Sequence, residues 1–219
     1  IRQDIYQRHP DIIVISEPPP KGLLDMLVNQ MGPDWTLIYK SPRIETLAVC
    51  FSGPLQFERF VPIGRGQAMI IIVTIHGQPL RLLAIDGDRN MSNKLVMLSK
   101  AFLPRSRTPM LRDIVKTLAT SNTQGYPIDI VAGDFNALSR SSGFDAFAKV
   151  AGGYNLAAKL SHGGWRGTWQ SWLPLYDIDH VWLHKRFPDV RTELFTNLAT
   201  DHRGQVVHFN LPRVRRWKN

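Results

Sequence analysis

Six polar side chains stand where short apolar runs end, and their types suit one kind of chemistry. Glu17 follows Ile13-Val14-Ile15-Ser16, while Asp134 and Asn136 close Ile130-Val131-Ala132-Gly133-Asp134-Phe135-Asn136. Asp179 opens Asp179-His180-Val181-Trp182, and Asp201-His202 precedes the run 205–211. Strands deliver their terminal residues to the rim of a sheet, so groups far apart in the chain can converge on one edge of a core. Carboxylate and amide oxygens are hard donors that suit Mg²⁺, Mn²⁺ or Ca²⁺ rather than zinc. An acid after a strand, taken alone, is more often a turn former, and Asp-His before a strand is more often a cap. The inference rests on the set.

The elements that must position these groups are visible as β-branched apolar runs of strand length at 11–15, 35–39, 46–51, 57–61, 69–75 and 80–85. Turn residues at Ser52-Gly53-Pro54, Gly64-Arg65-Gly66 and His76-Gly77-Gln78-Pro79 predict hairpins among the last four of these. Helical spacing covers 21–31, 93–102 and 110–120, the last with Met110, Leu111, Ile114, Val115 and Leu118 as one apolar stripe. Strands resume at 128–132, 178–183, 190–195 and 205–211, with a helix expected over 144–150. Strands outnumber helices and do not alternate with them, which predicts two packed sheets with helices outside rather than a doubly wound sheet. One domain is expected over 1–212, followed by a basic tail at 213–219.

The 219 residues are 43% hydrophobic and 21% charged, enough apolar material for a sizeable core, which excludes a disordered or fibrous chain. A net charge of +9, part of it on Arg213, Arg215, Arg216 and Lys218, favours an anionic partner without choosing among nucleic acid, lipid headgroup and phosphate ester. Cys50 is the only cysteine, which excludes intrachain disulfides and multi-cysteine metal sites; its apolar surroundings predict a buried, inert thiol. The longest apolar stretch, 68–75, is far short of the roughly 20 residues that span a bilayer. The chain opens on Ile1, so a leader or membrane anchor upstream stays open, and with it the compartment. The tryptophans, Trp172 and Trp182 among them, are read as core filling.

Taken in order, Ser16-Glu17, Gly133-Asp134-Phe135-Asn136, Ile178-Asp179-His180-Val181 and Thr200-Asp201-His202 resemble the endonuclease/exonuclease/phosphatase superfamily of deoxyribonuclease I-like proteins. The resemblance implies a four-layer α/β sandwich of mixed and antiparallel sheets and metal-dependent cleavage of a phosphate ester. It implies that Glu17 is the principal ligand of a Mg²⁺ (or Mn²⁺, or Ca²⁺), with Asp201 a second carboxylate on the metal or water side. Asp134 would activate or orient the attacking water, and Asn136 would hold a phosphate oxygen or help place the nucleophile. His202 would donate to the scissile phosphate and Asp179 would hold His202 in its tautomer. The division of labour is coherent, because such cleavage needs an in-line water and neutralised equatorial oxygens.

Against that pattern, 1–8 reads as the helix after a first strand, so that strand and its supporting Asn are expected to be missing from this fragment. Where relatives carry a phosphate-contacting His, the matching position here is Asp86, which would bind metal, pair with an arginine or mark a site of altered activity. Glu45 lies where some relatives place an acid partner for that His. Arg166, with His162, Trp165 and Trp169, lies in a loop that could offer cationic and aromatic groups to substrate. Glu45, Asp86 and Arg166 are the candidate substrate contacts. The expected partner is nucleic acid or another phosphodiester, with membrane contact through an upstream segment left open. The leading expectation is a nuclease; the alternatives are a phosphatase or phospholipid-type phosphodiesterase, and a degenerate anion-binding module.

Overall fold

The computed structural model describes residues 5–40, 47–87, 108–124, 126–141, 143–150, 152–160, 166–196 and 200–212. Glu45, His162, Trp165, the expected helix 93–102 and the tail 213–219 lie outside the described residues. The strands are β1 (Ile12–Ser16), β2 (Trp35–Lys40), β3 (Leu47–Ser52), β4 (Leu55–Ile63), β5 (Gly66–Ile75), β6 (Gln78–Asp86), β7 (Ile130–Asp134), β8 (Tyr154–Leu156), β9 (Asp179–His184), β10 (Arg191–Thr196) and β11 (Arg203–His208). The helices are α1 (Lys21–Met31), α2 (Thr108–Thr123) and α3 (Ala157–Leu160).

One sheet is antiparallel in the order β1-β3-β2, a second is six-stranded in the order β4-β5-β6-β7-β9-β8, and β10 and β11 pair alone. β3, at the centre of the smaller sheet, and β5, inside the larger one, are long apolar runs, as strands covered on both faces must be. Between the two larger sheets Leu47, Val49 and Phe51 meet Met69, Ile71, Leu82, Ala84, Ile130, Ala132 and Leu183. Val207, Phe209 and Leu211 extend this core from the β11 side. On the outer face of the larger sheet, Met110, Leu111, Ile114 and Leu118 of α2 pack on Ile70, Leu83, Ile85 and Val131. On the outer face of the smaller one, Val28 of α1 packs with Ile13 and Cys50. The layers therefore run helix, sheet, sheet, helix, the four-layer α/β sandwich that the sequence implies.

Three local expectations are corrected. β4, β5 and β6 form antiparallel hairpins as the turns predict, but β3 and β4 do not pair. Pro54 has no N–H to extend a ladder, and the corner at Gly53-Pro54 carries the chain from one sheet to the other. The helix expected over 144–150 is only a 3₁₀ turn, Phe144–Ala146, followed by the edge strand β8, which three residues are too few to reveal in sequence. Trp182 fills the core, but Trp172 is 75% exposed. Cys50 is buried as expected, which pushes its thiol up to about 12 and leaves it inert. Among the described residues no helix is long and apolar enough to cross a membrane.

Candidate active site

The register of the six-stranded sheet assembles the centre. Gln67 of β5 lies opposite Asp86 of β6, Asp86 opposite Asp134 of β7, and Asp134 opposite Asp179 of β9. Directly opposed residues project from the same face, so these four side chains form one row. The next row inward on that face is Met69, Ala84, Ala132 and Val181, all packed in the core between the sheets. The polar row is thus the end of the face that buries the core.

Two features let the strands close there. Gly133 (φ 140°) lies so near β6 that a Cβ on it would meet the Ile85 carbonyl oxygen at 2.0 Å. Ser16, the last residue of β1, joins the other sheet to the same place: its hydroxyl donates to the Ile85 carbonyl (2.9 Å) and accepts the Asp134 N–H (3.2 Å). Glu17 therefore leaves β1 at the edge where β6 and β7 end. Its backbone sits in the left-handed region (φ 51°) and its side chain is exposed.

Asp134 is buried and held by the turn that follows it. Its carboxylate accepts the Asn136 N–H (2.6 Å) and the Asn136 Nδ2 (3.1 Å). The same Nδ2 donates to the Gly87 carbonyl (3.4 Å). Asn136 adopts φ 47°, a region asparagine tolerates better than most side chains. Burial raises the Asp134 carboxyl well above the usual aspartate value, as does the charge of Asp179 beside it; His202 and the Asn136 N–H oppose this, and Asp86 adds to it.

His202 lies just before β11. Its Nδ1 is 2.9 Å from Asp179 Oδ2, and its Nε2 is 3.9 Å from Asp201 Oδ1. Burial alone would lower its pKa, but the hydrogen bond and charge of Asp179, with Asp134 and Asp201, outweigh burial and push the imidazole up to about 9. It is therefore an imidazolium at neutral pH, donating Nδ1–H to Asp179.

Donor atoms of Asp134, Asp179 and His202 lie within 4.8 Å of one another. Glu17 and Asp201 are outside that trio; Asp201 is exposed and its Oδ2 accepts the Trp169 indole N–H (3.0 Å). Asp86, expected to face substrate, is instead fully buried, and its Oδ2 accepts Gln67 Nε2 (3.3 Å). Arg166 is exposed at the start of the segment leading to Thr168. A cation fits this edge, since three acids in adjacent register, one with a raised carboxyl, repel one another, and their donors are hard oxygens.

Two positioning groups escape sequence reasoning. Thr168 is buried, and its hydroxyl accepts the N–H groups of Ile178 and Asp179 (3.1 Å each) while its carbonyl accepts the Arg203 N–H (2.7 Å). It ties the start of β9 to the start of β11, and so Asp179 to His202. Gln67 is one polar residue in the apolar run of β5, and an isolated polar residue in a buried strand is the only signal it gives.

The fold has close relatives in shape but not in sequence. The human Nocturnin catalytic domain with bound sulfate anion superposes with a TM-score of 0.62 at 18% identity, over 95% of this chain and 84% of that one. An endonuclease/exonuclease/phosphatase family protein from Leptotrichia buccalis gives 0.68 at 14%, over 96% and 91%. D. rerio TDP2 complexed with single strand DNA product gives 0.66 at 17%, over 95% and 89%. No curated protein matches the sequence. The family pattern itself matches residues 1–202, which hold every one of the groups above, and the chain belongs to the Endonuclease/Exonuclease/phosphatase family.

Proposed function

We propose that the protein is a divalent-metal-dependent phosphodiesterase acting on nucleic acid. The observation that carries this reading is the convergence of Asp134, Asp179 and His202 within 4.8 Å, with His202 held charged by Asp179. Water attack on a phosphodiester forms one P–O bond and breaks another, and it needs a proton acceptor near the water and a donor near the phosphate. Asp134, whose burial makes it a stronger base than an ordinary aspartate, takes the water proton. Asn136 fixes the orientation of that carboxylate through both its N–H and its amide. His202 presents Nε2–H to a phosphate oxygen, and Asp179 keeps it protonated and aimed. Glu17, which follows Ser16 at this edge, and Asp201 are the residues that would hold Mg²⁺ or Mn²⁺. A cation held there would supply charge neutralisation at the phosphate oxygens.

Nucleic acid is favoured over other phosphodiesters by the likeness to D. rerio TDP2, whose structure holds a single strand DNA product, and the net charge of +9 is compatible with it. The test is hydrolysis of plasmid DNA and of bis-p-nitrophenyl phosphate with Mg²⁺ or Mn²⁺ and with EDTA. Metal-dependent DNA nicking that is lost in Asp134→Ala is the expected result. Cleavage of the small diester alone would keep the chemistry and move the substrate to lipid or inositol phosphates. DNA binding without turnover would leave an anion-binding module.

A further inference from the structure

Of the eight exposed large apolar side chains among the described residues, Leu23 and Met26 are one turn apart on α1, and three lie together in one loop: Trp172 (75% exposed), Leu173 (47%) and Leu175 (53%). They occupy a tight loop closed by the Trp169 and Tyr176 backbone pair, with N–H to carbonyl distances of 2.9 Å in both directions. Within the loop the Leu173 N–H donates to the Gln170 carbonyl (3.0 Å), so the tip is formed in advance rather than ordered on contact. The loop is bolted to the catalytic edge. The Ser171 N–H and hydroxyl donate to the carbonyls of Asp201 (2.6 Å) and Thr200 (3.1 Å), and the Trp169 indole reaches the Asp201 carboxylate. Whatever the tip touches is therefore held next to His202.

We infer that the Trp172-Leu173-Leu175 loop is a docking tip for an anionic lipid surface. Its chemistry selects this occupant. A single-stranded nucleic acid platform interleaves aromatic rings with cations along the bound strand. This tip has one aromatic ring and two aliphatic side chains, with no Lys or Arg from Gln170 to Tyr176. Aliphatic side chains do not stack on a base as an aromatic ring does, whereas Trp and Leu together suit the boundary between headgroups and acyl chains. The cations stand one step behind the tip. Arg166 is exposed in the irregular segment that leads into the loop, and the half-buried Arg203, whose guanidinium donates to the Gly167 carbonyl (3.4 Å), flanks it from β11. An apolar point with basic residues behind it, on a chain of net charge +9, complements a bilayer with anionic headgroups. The docking is independent of which ester the centre cleaves.

The test is cosedimentation of the full chain with phosphatidylcholine vesicles and with vesicles containing phosphatidylglycerol, all in EDTA so that hydrolysis plays no part. Binding to the anionic vesicles, weakened by salt and lowered at least tenfold in W172S/L173S/L175S and measurably in W172A, is the expected result, with circular dichroism unchanged. The proposal is overturned if wild type binds neither vesicle or binds both equally, or if the variants sediment like wild type. A triple variant that keeps vesicle binding but loses affinity for a single-stranded oligonucleotide would overturn it in favour of a nucleic acid platform.

Discussion

At the scale of single residues, the centre is a set of groups whose charges are tuned by their neighbours, and the tuning has thermodynamic consequences. His202 titrates near 6.5 when unfolded and at about 9 when folded, so its pairing stabilises the fold fully below about pH 6.5 and the contribution is lost as pH rises through about 9. The difference corresponds to roughly 3 kcal/mol, an order-of-magnitude figure for a side chain only 27% exposed. Proton NMR of the metal-free protein should show His202 titrating at about 9, and Asp179→Asn should bring it down towards the ordinary histidine range. Asp134 has the opposite sign. A carboxyl whose folded value is raised costs stability increasingly as pH climbs above the unfolded value, roughly pH 4. Asp134→Asn should therefore remove the part of the stability that falls as pH climbs above about 4, while lowering turnover roughly 10²-fold or more. Thermal melts and diester hydrolysis measured on the same preparation check both halves. Turnover close to that of the unaltered protein would mean that Asp134 does not serve the chemistry.

At the scale of elements, the site depends on joints between strands, and those joints were the part the sequence concealed. Ser16-Glu17, Asp134, Asn136, Asp179 and Asp201-His202 stand out because each is polar where an apolar run stops. Thr168 does not stand out, because a lone threonine in a loop carries no pattern of its own and its partners at 178, 179 and 203 are known only from the fold. The row Gln67, Asp86, Asp134 and Asp179 was equally hidden, since period-two patterning gives the face of a residue but not the strand beside it. The hairpins of β4, β5 and β6 were legible from their turns, whereas the switch of sheets after β3 was not. Thr168→Val keeps the shape but leaves the Ile178 and Asp179 N–H groups without their acceptor, at a cost of about 1–3 kcal/mol. It should speed hydrogen exchange at 178 and 179 and lower kcat, and Thr168→Ser should restore both.

At the scale of the molecule, two sheets share one core and meet at the edge that carries the candidate site. Leu82, fully buried between them, is a test of that core: Leu82→Ala should cost about 2–5 kcal/mol in a denaturant titration without moving the pH dependence of the remaining activity. The charge of +9 acts at this scale as well. DNA affinity should fall steeply and log-linearly with salt, by a slope that counts the phosphates neutralised, and a flat salt dependence would count against nucleic acid as the substrate.

The pairing of Asp134 with Asp179 across β7 and β9 also makes the chemistry a witness to assembly. A slip of one residue would turn Asp179 towards the outer helices and leave a chain with native secondary structure and no acid behind His202. Specific activity after refolding, compared with circular dichroism, would then measure the fraction of molecules in which these two strands found the right alignment.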